Sequence, residues 1–385
     1  MTSAQPGLVA SGAGPSATTG EHAVKAASAT VKSAARVLVL CWGVIAFQAT
    51  VLYMTISHEV PQDGSLGALG ETAVLQRIFP RLPIATLALL GPGDDAAVVA
   101  AADGRFVVTT DMMIHGPDFR MAWSTPEELG WKAAASNLSD VAAMGAVPTA
   151  MVVAIAAPAT SPVSLLEGIA DGFRAACEAL APGCGVVGGD LSVSPTLTLA
   201  VTAFGDLEGR HPVRRAGARP GDTVAVSGEL GTAAAGLRLL FERARGDDGV
   251  PDAELAAALR REFPRLTAAQ FTPCPPIADG KAAALAGATA MMDLSDGLAL
   301  DARRLAGASG VRIDVRSDAL GEDPSLALDG GEDHSLLATF PAETLLPAGF
   351  RAIGSVVAGS GLAVDGVLYA GGGWDPFADW DSGAG

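Results

Sequence analysis

The sequence has few of the side chains that carry nucleophilic, redox or transition-metal chemistry. Its 385 residues include four cysteines, none in a C-x-x-C pair, and five histidines without metal-ligand spacing. A zinc site and a disulfide framework are therefore not expected, and a reducing, cytoplasmic compartment fits this composition. The chain also lacks a G-x-x-x-x-G-K-[ST] loop, paired H-R-D and D-F-G motifs and a G-x-S-x-G elbow, which excludes P-loop proteins and protein kinases.

Basic residues are scarce as well. The chain has 25 Lys and Arg against 42 Asp and Glu, a formal net charge of −17. Nucleic acid is not expected as a partner, because binding to a phosphate backbone requires basic patches. Nucleotides remain compatible with this charge, because acidic sites reach phosphates through Mg²⁺. The hydrophobic fraction of 49% is sufficient for a substantial core.

The first 63 residues differ in composition from the rest. Residues 1–35 are rich in Ala, Ser, Gly and Thr, which is typical of a disordered lead. Residues 37–56 carry no charge over a length that spans a bilayer. Three interpretations stay open: a membrane anchor, a buried helix, or upstream sequence that does not belong to the functional protein. We favour the third, because the sequence downstream is typical of a soluble enzyme.

The most informative stretch is Met291–Leu298. An apolar strand pattern leads into Asp293 and Asp296, with Ser295 between them, before a helical pattern begins. Two close carboxylates repel each other unless a cation lies between them, and no base follows until Arg303, so a divalent cation is expected. The simpler alternative is that Ser295 or Asp296 only caps the helix and Asp293 lies in a turn.

Other acids recur in comparable settings. Asp95 follows a glycine-rich turn, Asp111 is predicted to end the strand of residues 105–110, and Asp190 follows two glycines. Thr125, Pro126 and Glu128 predict the start of a helix. That helix carries Asp140 on a face that is otherwise small and apolar. Carboxylate oxygens of this kind favour a hard-cation site.

Helices and strands alternate in both halves, which predicts an α/β or α+β fold of two domains. We place the N-terminal domain at residues 64–209, the C-terminal domain at residues 210–377 and a tail at residues 378–385. The basic run from residue 210 to residue 222 is predicted to link the two domains.

Taken together, eight motifs resemble the thiamine-monophosphate kinases of the aminoimidazole-ribonucleotide synthetase superfamily, in the order and at the spacing of that family. They cover about residues 64–377. The motifs are GDDAAV (residues 93–98), TTD (109–111), NLSDVAAMGA (137–146), GGDLS (188–192), RAGARPGD (215–222), DLSDGL (293–298), GGEDHSLL (330–337) and the late Trp374.

This resemblance implies a two-domain subunit whose N-terminal domain dimerises, with ATP in a cleft between the domains. It implies that the phosphate of thiamine monophosphate attacks the γ-phosphorus of ATP directly, with several Mg²⁺ ions. The residues that match metal-binding positions are Asp95, Thr109, Thr110, Asp111, Asp140, Asp190, Asp293 and Asp296. The residues that match ATP contacts are Gly189, Asp190, Arg215 and Ser295. The residues that match thiamine-side contacts are Glu332 and Trp374.

One departure from the family pattern affects the substrate phosphate. After the TTD strand the family has a His that touches this phosphate, but Asp118 stands at that position here and His115 lies three residues earlier. Either His115 takes the role from a shifted loop or the contact is lost, so Asp118 stays a candidate for substrate binding. Two other functions stay open: another ATP-using enzyme of the superfamily, and a non-enzymatic acidic, membrane-tethered cation-binding protein.

Overall fold

The computed structural model describes residues 64–92 and 96–374. The lead, the apolar run of residues 37–56, Asp95 and the tail of residues 378–385 lie outside the described residues, so what was predicted for them stays a prediction. Within the described part of the chain, no helix has both the length and the apolar character that crossing a bilayer requires.

The first half of the described chain builds a four-stranded sheet with helices on one side. The sheet has the order β3-β6-β4-β5, and only β4 and β5 run parallel. Two short strands, β1 and β2, form a separate ribbon. The elements are α1 (Leu66–Leu69), α2 (Glu71–Ile78), β1 (Ala88–Leu90), β2 (Val98–Val99), β3 (Val107–Ile114), α3 (Pro126–Ala143), β4 (Val147–Ala157), α4 (Val163–Leu180), β5 (Gly185–Val193) and β6 (Thr198–Asp206).

The second half builds a seven-stranded sheet in the order β13-β12-β9-β11-β7-β10-β8. Its elements are β7 (Thr223–Ser227), α5 (Thr232–Arg243), α6 (Ala253–Glu262), α7 (Pro264–Phe271), α8 (Ile277–Leu285), β8 (Ala290–Leu294), α9 (Leu298–Ser309), β9 (Arg312–Val315), α10 (Pro324–Asp329), β10 (Ser335–Phe340), β11 (Phe350–Val357), β12 (Gly361–Val364) and β13 (Val367–Leu368). The predicted mixed α/β fold is confirmed. The predicted domain boundary falls between β6 and β7 and stays a prediction.

Helix α3 lies between the two sheets. It starts as predicted: the Thr125 hydroxyl accepts a hydrogen bond from the Glu128 amide, and the Glu128 carboxylate accepts one from the Thr125 amide. The helix is buried on nearly all sides, because its alanines allow close contact with neighbours. It packs on α4, β3 and β6, and also on α8 and β8. A side chain of α3 can therefore reach both sheets.

The strand that carries Asp111 does not end there, which corrects the prediction. Strand β3 continues to Ile114, because β6 pairs with it over its whole length. Asp111 lies within the ladder, opposite Val201. Asp190 likewise lies inside β5 rather than after a strand. Pairing with a neighbouring strand sets where these strands end, and this information is not local to the sequence.

Strand β8 directs an acid toward α3. Its residues alternate between the two faces of the sheet. Met292 and Leu294 pack in the core that contains α9, whereas Met291 packs in the core that contains α3. Asp293 shares the face of Met291, and its side chain contacts Ser139 of α3.

We expect Leu138→Ala to destabilise the protein by about 2–5 kcal/mol, because Leu138 is fully buried in α3 and its truncation would leave a cavity. Urea unfolding of both proteins measures the difference. The matched control Leu345→Ala removes a side chain that is 92% exposed and should change the free energy of unfolding by less than about 0.5 kcal/mol. Equal effects from the two variants would contradict the position of α3 in the core.

Candidate active site

Side chains from both sheets meet on one turn of α3. The Thr109 hydroxyl of β3 donates a hydrogen bond to Asp140 Oδ2 at 2.7 Å. The Ser139 hydroxyl donates one to Asp293 Oδ2 of β8 at 3.2 Å. Ser139 and Asp140 are adjacent in α3, so these two bonds bring β3 and β8 to the same place. Acids that are far apart in the chain thereby become neighbours.

The pKa values of two carboxylates in this cluster, Asp140 and Asp111, are raised. Burial raises the pKa of Asp140 from 3.8 to about 7, and the charges of Asp293 and Asp111 add to this, although the Thr109 hydrogen bond opposes it. Partial desolvation also raises the pKa of Asp111, although the residue as a whole is exposed. The charge of His334 opposes this shift, and the charge of Asp293 adds to it. The cluster therefore binds a proton or a cation more readily than isolated aspartates would.

A histidine that the sequence analysis passed over is the partner of Asp293. His334 Nδ1 lies 3.6 Å from Asp293 Oδ2 and 3.5 Å from the Ser139 hydroxyl, and both His334 and Asp293 are buried. Burial lowers the pKa of His334, but its contact with Asp293 and the charge of Glu332 together outweigh this effect and the net pKa is raised. The sequence signal was present, because His334 lies two residues after Glu332 in a glycine-acid turn.

Asp296 has a protein cation as its partner, because Arg304 of α9, one residue after Arg303, reaches back to it. Arg304 Nη1 lies 2.5 Å from Asp296 Oδ2 and 2.7 Å from Asp301 Oδ1. Asp301 is buried, and its other oxygen accepts a hydrogen bond from the Asp296 amide at 3.1 Å. Burial raises the pKa of Asp301 to about 6. The argument for a metal therefore rests on Asp111, Asp140 and Asp293 more than on Asp296.

The simpler interpretation of this turn is wrong. Helix α9 has Gly297 as its N-cap and no side chain that caps it, so neither Ser295 nor Asp296 serves that purpose. Asp293 lies within β8 and not in a turn.

The predicted thiamine-side residues lie beside the same turn. The Glu332 amide donates to the Ser295 carbonyl at 2.8 Å, and the Trp374 amide donates to the Asp296 carbonyl at 3.0 Å. Glu332 has a φ of +74°, which non-glycine residues rarely adopt and which is frequent at functional sites. The structure thus brings Ser295, Asp296, Glu332 and Trp374 together.

Glu332 is paired with a lysine that the sequence analysis did not identify. Buried Lys132 of α3 forms an ion pair with Glu332 Oε2. Desolvation alone would raise the pKa of Glu332, but the charge and hydrogen bond of Lys132 together with the charge of His334 hold the net pKa below its usual value. A lysine on an alanine-rich helix face was the available sequence signal.

The structure gives Asp118 a local structural role. Its Oδ2 accepts a hydrogen bond from the Ile114 amide at 2.7 Å, which closes the turn after β3. Burial raises the pKa of Asp118. His115 packs its ring on Phe119 at 5.5 Å between centroids, and burial lowers its pKa. A substrate role for Asp118 stays a prediction.

Several predicted ligands lie away from this cluster. The strand register sets Asp190 opposite Ala154 and Gly189 opposite Val153, so Asp190 is on the other face of the sheet from Asp111. A side chain at Gly189 would lie 1.9 Å from the Val153 carbonyl oxygen, which is a packing reason for glycine there. Two further predicted ligands also lie away from the cluster: Thr110, whose hydroxyl donates to the Val201 carbonyl, and the exposed Arg215.

The oxygen donors of the cluster suit a hard cation, but its side chains do not form a complete coordination shell. Carboxylate and hydroxyl oxygens are the ligands that Mg²⁺ prefers. Among residues 64–92 and 96–374, however, no three acidic, histidine or cysteine side chains are arranged to hold a metal ion. Asp95 lies outside that part of the chain. The acids that do converge fit Mg²⁺ in residue type and in their mutual repulsion.

Relatives that are at least 30% identical to this chain indicate one family. Residues 93–207 match the family model described as AIR synthase related protein, N-terminal domain. The thiamine-monophosphate kinase of Mycobacterium tuberculosis (strain CDC 1551 / Oshkosh) is 43% identical over 346 residues, which cover 85% of this chain and 98% of that protein. The structure of the thiamine-monophosphate kinase from Stenotrophomonas maltophilia K279a has a TM-score of 0.65 at 33% identity, with 77% of this chain and 97% of that chain covered. A structure of AaThiL complexed with AMPPCP and TMP has a TM-score of 0.61 at 35% identity and covers 80% of this chain and 96% of that one.

We expect Asp140→Asn to raise the Tm of the protein when divalent cations are removed. The folded state binds the Asp140 proton more tightly than the unfolded state, since its pKa is raised from 3.8 to about 7. The free energy of unfolding therefore falls as the pH rises from 3.8 to about 7, because Asp140 becomes ionised in the folded protein. Asparagine cannot ionise, so the variant does not undergo this decrease. Thermal unfolding in EDTA should show a larger gain at about pH 8 than at about pH 5.

The matched control for this prediction is Asp365→Asn. The Ser317 hydroxyl donates a hydrogen bond to Asp365 and lowers its pKa, so this substitution should lower the Tm instead. A Tm for Asp140→Asn below that of the wild type at both pH values would contradict the mutual repulsion described above.

Proposed function

The chain belongs to the thiamine-monophosphate kinase family, and on this premise we propose that its acidic cluster binds Mg²⁺ during phosphoryl transfer. The resemblance recognised in the sequence is confirmed. The activity is the ATP-dependent phosphorylation of thiamine monophosphate to thiamine diphosphate, a step of thiamine biosynthesis. A structural relative, AaThiL, is complexed with the ATP analogue AMPPCP and with TMP.

The observation that carries the metal proposal is the convergence of Asp111, Asp140 and Asp293. Bound Mg²⁺ would neutralise the negative charge of the two phosphate groups that have to meet. Carboxylates of this cluster would supply oxygen ligands beside the waters and substrate phosphates that Mg²⁺ keeps, with Thr109 orienting Asp140 through the hydrogen bond at 2.7 Å. His334 and Ser139 keep the Asp293 carboxylate in place. No protein nucleophile is needed, because the acceptor phosphate attacks the γ-phosphorus itself.

We propose that the thiamine moiety lies beside Glu332 and Trp374. The Lys132 ion pair keeps Glu332 ionised, so that it can accept hydrogen bonds from an aminopyrimidine. Trp374 is 41% exposed and offers an indole face for stacking. Both residues are bonded through their backbone to the turn that follows Asp293, which supports one shared site. ATP contacts by Gly189, Arg215 and Ser295, and metal contacts by Asp95, Thr110, Asp190 and Asp296, remain proposals.

The other two functions weighed from the sequence gain no support. The relatives reported above carry the thiamine-monophosphate kinase name and not that of another ATP-using enzyme. A membrane-tethered protein would depend on residues 37–56, which lie outside the described residues. A cytoplasmic location stays a proposal. Free Cys177, Cys184 and Cys274 fit a reducing compartment.

We expect Asp111→Asn and Asp293→Asn each to lower kcat by at least about 10²-fold, because each removes charge that would hold Mg²⁺ between the phosphates. ADP release coupled to thiamine diphosphate formation, measured over a range of Mg²⁺ concentrations, tests this. Asp318→Asn is the control, because Asp318 is an exposed acid outside the cluster. Near-normal turnover in both cluster variants would rule out the proposed role.

We also propose a homodimer formed through the four-stranded sheet. The face of this sheet opposite α3 exposes apolar side chains of β3: Val108 is 54% exposed and Met112 is 57% exposed. The register lines these residues up with Phe204 and Ala200 of β6. Exposed apolar side chains on a sheet face, here beside Thr110 and Asp190, are typical of an interface in soluble proteins. A second copy of the chain is the occupant that the family resemblance implies.

We expect Met112→Asp to shift the protein toward monomer, because a charge would be buried in the proposed interface. Light scattering during size-exclusion chromatography measures the mass. Val367→Asp places the same charge on the exposed strand β13 and should leave the mass unchanged. A wild-type protein that is monomeric at high concentration would refute the dimer.

A further inference from the structure

A short arm of irregular structure carries Trp374 to the site. Residues 369–374 follow β13 and contain no helix or strand. Gly372 and Gly373 have φ values of +79° and +97°, so the arm occupies conformations that other residues avoid. Ordering a glycine-rich segment is entropically costly, and Trp374 is not held by burial, because it is 41% exposed. Polar attachments have to hold the arm in place.

Four attachments fasten the arm, and the first is a hydrogen bond from the Tyr369 amide to the Leu362 carbonyl of β12 at 2.9 Å. The Tyr369 hydroxyl bonds both Asp329 oxygens, at 2.8 and 3.0 Å. Arg303 donates from Nη1 to the Gly371 carbonyl at 2.6 Å and from Nη2 to the Gly372 carbonyl at 2.8 Å. The Trp374 amide donates to the Asp296 carbonyl at 3.0 Å.

The Arg303 fork is the attachment that decides where the indole lies. It binds two successive carbonyls directly before Gly373 and Trp374, whereas Tyr369 acts at the start of the arm. A planar guanidinium with two donors fixes both position and orientation, which a single hydrogen bond does not. Hydrogen bonds from a charged donor are also stronger than neutral ones.

We infer that Arg303 is a positioning residue for thiamine-monophosphate binding, because it holds the arm so that Trp374 stands beside the Asp296 turn. This inference rests on the proposed contact between Trp374 and the thiamine moiety. Arg303 and Arg304 are consecutive in α9 and serve different parts of the site. Arg304 holds the acid Asp296, whereas Arg303 holds the backbone that leads to Trp374.

Hydrogen exchange of the substrate-free protein tests the attachment itself. In Arg303→Ala the peptide containing Trp374 should exchange about tenfold faster than in the wild type, because the amide that bonds Asp296 is released more often. Arg312→Ala is the matched control: Arg312 also donates to a loop carbonyl, that of Ser360, but away from the arm. It should leave this peptide unchanged. Equal exchange in Arg303→Ala and the wild type would overturn the inference.

Kinetics test the consequence. Arg303→Ala should raise the KM for thiamine monophosphate about tenfold and leave kcat and the KM for ATP within about twofold. Arg303→Lys keeps the charge without the fork and should give an intermediate KM. In a Trp374→Ala background, Arg303→Ala should add less than about twofold, since it would act through the indole.

Results that contradict the role of Arg303 differ from the result that contradicts the proposed function. A full tenfold effect of Arg303→Ala in the Trp374→Ala background would overturn the inference, and so would a wild-type KM in Trp374→Ala alone. Failure of the wild-type protein to form thiamine diphosphate would refute the proposed function instead. The exchange experiment needs no substrate and still decides whether Arg303 holds the arm.

Discussion

Electrostatic repulsion among acids that meet at the junction of two sheets is the constraint around which this site is built. Asp140 and Asp293 are held together by α3, and Asp111 adds a third charge nearby. Asp293, Asp296 and Glu332 each have a basic partner, whereas Asp140 is held by the neutral hydroxyl of Thr109. A site with this imbalance has a raised affinity for positive charge, which is what two phosphates need in order to approach each other.

Helix α3 sets the distance between the two parts of the site. Lys132 contacts the thiamine-side acid Glu332, and Ser139, seven residues later, contacts Asp293. Residues seven apart lie on one face of a helix and about 10 Å apart along its axis. Because α3 is buried between the sheets, this spacing is held by the core and not by a loop.

Helix α9 has a comparable role on the other side. Its two consecutive arginines project in different directions, because successive residues of a helix are about 100° apart. Arg304 reaches Asp296, and Arg303 reaches the arm that ends in Trp374. The arm of residues 369–374 is thereby fastened to α9, whose other face packs in the core of the second sheet.

The sequence by itself determined the features that depend on neighbouring residues. The start of α3 could be predicted because its capping chemistry spans four residues, and the mixed α/β fold could be predicted because strand and helix patterns are local. The order of the motifs determined the family. Tertiary structure decided which base meets which acid: His334, Lys132 and Arg304 were not assigned, because their partners depend on how the strands and helices pack. It also decided that β3 continues past Asp111 and that Asp190 faces away from it, because the pairing of strands sets their ends and their faces.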